Sequence, residues 1–430
     1  MIQSSKSIPL SKFLLCLLII SSLIPDIGKS INTAGFYWTF YRIVVVLASL
    51  YFLVINHFII RINLQKLTGR WIAFLDIWIL YGFAILVISN YSDVHNGMLE
   101  ILSILLGMLT IWNIHILELG TEEIKRIKKL IYWIITFLAI IGIGEIITGH
   151  HFAMSSYNTM NAMPYIVDTH QATGFMYNVN DFSALLTCFV PIIFSKVNGK
   201  KRWLTICGII AINLVNDATI CNSAIIIFFL YYYLLVKDFN GSRELIKRLV
   251  FILLCIIAIF IIYFAGPLLM NRSDIIGAIA RQIYYARRSS GSMFSRLLIY
   301  KDGILAWLHG NFLGLGPSSF TNFFIVHKSN SRLVNPHSLF IEILVQYGIF
   351  IFIGYISLLI TMIKRARSVY LPIVNQNDKE EFAEIIGSII VYILVSFAPS
   401  TFLGYAYQWL ALGLISCQID ERNRSGGYNA

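Results

Sequence analysis

The sequence predicts an all-α, polytopic membrane protein with about twelve transmembrane helices and one long outer loop that carries short helices. Three observations lead there. Hydrophobic residues make up 57% of the 430 residues, and mean hydropathy is +0.74, more apolar surface than a water-soluble domain has use for. Charged residues are only 13%, and they stand in clumps between apolar runs. Those runs have the length of spans, since a bilayer core takes about twenty apolar residues per helix.

The expected spans are 8–25, 37–60, 71–90, 98–117, 130–148, 180–196, 203–217, 219–236, 249–267, 337–363, 383–398 and 402–418. The first follows Lys6 and Lys12, lacks a small-residue cleavage site and ends at Pro25-Asp26, so it reads as an uncleaved span. The pairs 203–217/219–236 and 383–398/402–418 are divided only by Asn216-Asp217 and Pro399-Ser400. The whole chain reads as one integral membrane domain, 1–430, with an outer loop at 149–179 and a long outer loop at 267–337. No repeat or low-complexity segment is present.

Lys and Arg set the topology. Of the 33, 23 fall on one face, from Lys6 and Lys12 to Arg422 and Arg424. That face is cytoplasmic, and it holds both termini. The loop 267–337 then lies outside, carrying Arg272, Arg281, Arg287, Arg288, Arg296, Lys301, Lys328 and Arg332 against Asp274 and Asp302. So many cations outside point to an anion; a face lying on anionic headgroups would need them too. The net charge of +11 follows from the positive-inside bias, and no nucleic-acid partner is expected. Six scattered cysteines without CxxC spacing read as small hydrophobes.

Within the long loop, Arg281, Tyr285 and Arg288 share one helical face. A second helix, about 294–308, brings Arg296, Tyr300 and Gly303 together. Gly314-Leu315-Gly316-Pro317 turns the chain, and no strand precedes it, as a dinucleotide fingerprint would require. His337 follows Pro336 at the mouth of a span. Its ordinary pKa suits a general base toward a sugar hydroxyl; an interfacial histidine capping the helix is the plainer alternative. Arg42, Asp76, Glu100, Glu145, Asp181 and Asp217 fall in or at the ends of spans, where charge is expensive and turns inward. All but Asp76 lie toward the outer leaflet, and Arg42 with Glu145 is a candidate ion pair. His150-His151 lacks a third ligand at metal spacing.

Three stretches resemble one family. Ser295-Arg296 through Phe320, with Asn311-Phe312-Leu313-Gly314-Leu315-Gly316-Pro317, is similar to an arginine-led signature of the O-antigen polymerase/O-antigen ligase superfamily. Asn335-Pro336-His337-Ser338-Leu339 through Gly348 resembles its histidine-led signature. Thr173-Gly174 through Asn178-Val179-Asn180-Asp181-Phe182 resembles the entry to a middle span. The resemblance implies a GT-C-like membrane glycosyltransferase. It would take glycan from an undecaprenyl-diphosphate carrier and join it to a hydroxyl of an acceptor glycan at the outer surface of the cell membrane, without cofactor or metal. Chain-length regulator proteins are a further implied partner. It makes Arg296 and His337 catalytic. Arg281, Arg287, Arg288, Asn180 and Tyr300 are the further residues expected on the substrate. The chain departs from the family in two places: Ser338 follows His337 where Asn is usual, and Ile220-Cys221-Asn222-Ser223-Ala224 stands where a middle-span arginine is common. Arg281, Arg287 or Arg288 is expected to replace that arginine. Polymerisation of repeat units is the expected activity. The alternatives are ligation of finished glycan to another acceptor, or a flippase for the same lipid-linked sugars, although the paired halves of transporters are missing.

Overall fold

The computed structural model describes residues 7–25, 31–33, 36–60, 62–158, 170–196, 199–233, 292–310, 312–327, 335–370 and 376–426. The expected span 249–267 and the side chains of Arg281, Arg287 and Arg288 lie outside these residues.

The chain is helical, with a single two-stranded hairpin among the described residues that the sequence did not announce. α1 (Ser7–Leu23) is followed by β1 (Ile31–Thr33) and β2 (Phe36–Trp38), which pair antiparallel. Then come α2 (Phe40–Ile55), α3 (Leu67–Ile88), α4 (Val94–Ile116) and α5 (Thr121–Thr148). Their starts follow local chemistry: the side chains of Thr39 and Asp93 accept the backbone N–H of Arg42 and His95, as capping residues do. α3 lacks a side-chain cap of its own. Asp420, from the far end of the chain, takes the N–H groups of Leu67 and Thr68 at 2.7 and 3.0 Å and sets a carboxylate at the positive end of the helix.

The expected span 180–196 is two pieces, α6 (Val179–Cys188) and α7 (Val190–Lys196). The break falls at Phe189, just before Pro191, which has no N–H to continue the ladder. α8 (Lys200–Val215) and α9 (Thr219–Tyr231) meet at Asn216-Asp217, where Asp217 takes a left-handed φ of 54°. α10 (Ser292–His309), close to the expected 294–308, and α11 (Ser319–His327) belong to the long loop. α12 (Leu339–Tyr370), α13 (Gln376–Val395) and α14 (Ala406–Gly426) complete the chain.

α3, α4, α5 and α12 are long and apolar enough to cross a bilayer, and four shorter apolar helices accompany them. The chain is a helical membrane protein; helices of 13 to 17 residues such as α9, α2 and α1 fall short of a full hydrocarbon core at 1.5 Å per residue. Packing follows the same logic. Trp71, Trp78, Tyr347, Tyr355 and Trp409 are fully buried and edge onto one another between α3, α12 and α14, with Trp78 and Tyr347 centroids 5.2 Å apart. Large apolar side chains point outward as well: Val87 is 87% and Ile88 78% exposed, an arrangement that suits lipid rather than water.

Candidate active site

The site is built on a broken helix. α12 interrupts at Gly348, whose φ of 73° and ψ of −172° are conformations that only glycine adopts without strain. The carbonyls freed by the break do not go unpaired. Those of Val345 and Gln346 accept the N–H groups of Leu315 and Gly316 at 2.8 and 2.9 Å, and Phe312 accepts from Ile349 at 3.0 Å. The Gly-Leu-Gly-Pro run is therefore a short ladder laid on the open turn, which meets the demand that buried backbone polar groups be paired. A Cβ on Gly314 would stand 2.6 Å from the Gln346 oxygen, and one on Gly348 2.3 Å from that of Leu313. Glu100 of α4 stitches the junction, accepting from Ser318 N–H (3.0 Å), Gln346 Nε2 (3.0 Å) and the Tyr347 hydroxyl (2.5 Å).

A second carboxylate fixes the opposite wall. Glu342, buried in the first turn of α12, receives the Thr401 hydroxyl and the Phe402 N–H, the latter at 3.0 Å. This holds the Pro399-Ser400 corner between α13 and α14 against the start of α12, where His337 N–H donates to the Ser400 carbonyl at 3.0 Å. α10 lies across the corner. Nη1 and Nη2 of Arg296 donate to the carbonyls of Phe397 and Ala398 at 2.8 and 3.2 Å, and the Tyr300 hydroxyl donates to the His337 carbonyl at 2.7 Å. Both residues use the i, i+4 face of α10.

Arg296 and His337 thus meet at one corner, each only 8% exposed. Among the described residues no carboxylate lies within ion-pair distance of Arg296, and its Nε has no partner; neither has Nδ1 of His337. A buried guanidinium without a counter-charge is costly and attracts an anion. Burial, and after it the Arg296 charge, pushes the His337 imidazole down to about 4. It is neutral at physiological pH and can accept a proton.

The other expected residues divide. Tyr300 joins the corner. Asn180 is half-buried in the first turn of α6, its N–H taken by the Asn178 side chain. Arg42 and Glu145 do not pair: Arg42 donates to the Tyr37 carbonyl at 2.6 Å, whereas Glu145 accepts from Thr173 and Gly174 N–H, each at 2.7 Å, with His151 3.6 Å away. Backbone amides within reach on the 170s loop take up Oε2 of Glu145, and His151 rather than a distant arginine faces Oε1. His151 also stacks on Tyr157 at 4.4 Å, which accounts for it without a metal. Asp217 is exposed, and Asp76 opens into a largely apolar groove of about 360 Å³ between α2, α3 and α4.

Residues 183–356 match the family model described as O-antigen ligase. That range joins α6 to the broken helix and contains Arg296, the glycine run and His337. The match supports the O-antigen polymerase/ligase superfamily. It is also 22% identical over 367 residues, 82% of this chain and 72% of the other, to the teichuronic acid biosynthesis protein TuaE of Bacillus subtilis (strain 168). The two matches support a role of the polysaccharide polymerase/ligase kind.

Sequence reasoning missed Glu342 and the 397–402 corner. Glu342 stands in the histidine-led stretch, and an acid five residues beyond His337 in an apolar run was the available signal. The corner, marked only as a hinge between two spans, provides both carbonyls that hold Arg296.

Proposed function

We propose that the protein is a membrane glycosyltransferase that joins undecaprenyl-diphosphate-linked oligosaccharide repeat units into a surface polysaccharide at the outer face of the cell membrane. What carries the reading is the convergence of Arg296 and His337 on one buried corner with no acid beside the guanidinium. In the reaction, the acceptor hydroxyl oxygen bonds to the anomeric carbon of the carrier-linked glycan. The bond from that carbon to the diphosphate breaks, undecaprenyl diphosphate leaves, and the hydroxyl proton passes to His337. Arg296 faces the charge that develops on the leaving diphosphate. The bound diphosphate also offsets the Arg296 charge, which raises the basicity of His337 when the donor is in place. Arg281, Arg287 and Arg288 supply further diphosphate contacts, and Asn180 and Tyr300 border the substrate. Both termini are cytoplasmic in this reading, and 149–179 and 267–337 face outward. Chain-length regulator proteins are candidate partners.

The role named for TuaE, teichuronic acid biosynthesis, supports a teichuronic-acid type of polysaccharide as product. The description of the family model as O-antigen ligase supports a second reading, transfer of finished glycan to another acceptor. The test is replacement of His337 or Arg296 by Ala in the host, with product resolved on a gel and the tagged protein located in membranes. A polymerase accumulates carrier-linked single units and loses its ladder. A ligase keeps a carrier-linked ladder and loses the transferred product. A normal product from both variants overturns the site.

A further inference from the structure

Asp181 belongs to neither carboxylate brace, yet it is buried, 2% exposed, on the third residue of α6. One oxygen, Oδ2, receives the Tyr405 hydroxyl. The other, Oδ1, has no hydrogen-bond partner among the described residues. The fully buried Tyr407 is in the same condition: its ring stacks on Tyr405 at 5.6 Å, within electrostatic reach of Asp181, and its hydroxyl is also unpartnered. Asn222 Oδ1 on α9 is a third such atom. Cys221, beside Asn222, lies within electrostatic reach of both Asp181 and Arg296, and Tyr405 follows the corner that Arg296 and His337 share. Tyr405 thus ties the unpartnered oxygens of Asp181 on α6 and Tyr407 on α14 into one cluster next to that corner. Such atoms are rare in native interiors, where each costs about 1–3 kcal/mol. Asp181 and Tyr407 bring two of them to the two sides of the Tyr405 ring.

We propose that Asp181 is a further substrate-binding residue, whose Oδ1 accepts a hydrogen bond from a hydroxyl of the acceptor sugar across the site from Arg296. The chemistry selects the ligand. A carboxylate repels the diphosphate that Arg296 attracts, so the Asp181 side suits a neutral polyol and the Arg296 side an anion. Stacked phenols beside a carboxylate are a sugar-binding surface: the rings offer apolar faces and the hydroxyls donors. Tyr405 orients the carboxylate by holding Oδ2, and Tyr407 donates to a second sugar oxygen. The assignment rests on the glycosyl-transfer reading of the same site.

The test uses the full-length protein in lipid nanodiscs. Two probes are titrated: oligosaccharides released from the host's surface polysaccharide by mild acid, and undecaprenyl diphosphate. Asp181→Asn, close in shape, is expected to weaken oligosaccharide binding tenfold or more with undecaprenyl diphosphate binding unchanged within twofold. Tyr405→Phe is expected to have a smaller effect in the same direction, and Arg296→Gln the reverse pattern. Should Asp181→Asn fail to accumulate, Tyr405→Phe and Tyr407→Phe carry the measurement. Oligosaccharide binding unchanged in Asp181→Asn, or in both tyrosine variants where they stand in for it, overturns the proposal alone. Undecaprenyl diphosphate binding unchanged in Arg296→Gln overturns the donor reading instead. A wild-type protein that binds neither probe overturns both.

Discussion

The hydroxyl of Tyr300 donates to the backbone carbonyl of His337 at 2.7 Å, so a residue one helical turn from Arg296 holds the peptide that carries the candidate base. His337 has a left-handed φ of 46°, a conformation that non-glycine residues adopt only where neighbours impose it. Burial holds the Tyr300 phenol up at about 12, so it remains a donor at any physiological pH. Tyr300→Phe is expected to keep the packing and lose this tie, worth about 1 kcal/mol, with transfer reduced about fivefold. His337→Ala should abolish it. Product formed per unit of membrane protein checks both, and a Tyr300→Phe protein as active as wild type would remove Tyr300 from the positioning role.

The depressed pKa of His337 sets a pH dependence of stability. In the unfolded chain the imidazole titrates near its ordinary 6.5; in the folded protein, near 4. Between these values the unfolded chain binds more protons, so stability falls as pH drops through that window and is intact above it. Thermal melting in detergent should therefore drop more steeply for wild type than for His337→Gln between pH 6.5 and 4.5. Equal slopes would mean that the imidazole is not held neutral by its surroundings.

The two glycine-bearing signatures are one structural unit, and their coupling is open to test. Gly348→Ala meets the Leu313 carbonyl and an unfavourable φ at once, and Gly314→Ala meets the Gln346 carbonyl. Each is expected to cost about 1–3 kcal/mol and to lower the amount of folded protein in membranes. Because both disturb the same ladder, their effects should be less than additive in the double variant. Strict additivity would indicate independent sites.

How much of this was legible in the sequence depends on the range of the interaction. Hydropathy located α3 and α4 within four residues, because each is a continuous apolar run of span length, but fell nine residues short at the start of α5 and seven at the end of α12, where the helices run on into charged sequence. The twelve-span count asked the same of α1, α2 and α9, which are shorter, and of 180–196, which breaks at Phe189. Arg296, Tyr300 and His337 were legible because their motifs flank the broken helix. The partner of Arg296 was not: its ligands are carbonyls about a hundred residues away, and a carbonyl has no side-chain signature. Arg42 and Glu145 illustrate the opposite error. Complementary charge suggested a pair, while each found nearer groups: a backbone carbonyl for Arg42, and two backbone amides with His151 for Glu145.

Glu100 is expected to behave as a brace rather than as a charge. Its two oxygens take three donors, from Ser318, Gln346 and Tyr347. Glu100→Gln substitutes an NH2 for one oxygen and sets donor against donor, a cost of about 1–3 kcal/mol. The loosening should be local. Hydrogen exchange at the amides of Leu315 and Gly316, which close the ladder on Val345 and Gln346, is expected to speed up, with the α3 amides unchanged. Unaltered exchange at Leu315 and Gly316 would show that the ladder holds without the carboxylate.

The last prediction concerns the other end of the bundle. Lys128 of α5 and Glu384 of α13 form an ion pair with both side chains buried, and the Ser195 hydroxyl also reaches Glu384. A pair of this kind need not add net stability, because desolvating two charges offsets their attraction. Breaking it from one side is another matter, since the remaining charge has no solvent to turn to. Lys128→Met is therefore expected to cost about 3–5 kcal/mol and to reduce folded protein sharply. Lys128→Met with Glu384→Gln should recover much of the loss, because the amide can keep the Ser195 contact without a net charge. Folded protein measured by size-exclusion chromatography in detergent separates the cases. A double variant no better than Lys128→Met would mean that the lysine stem, rather than the charge balance, holds α5 to α13.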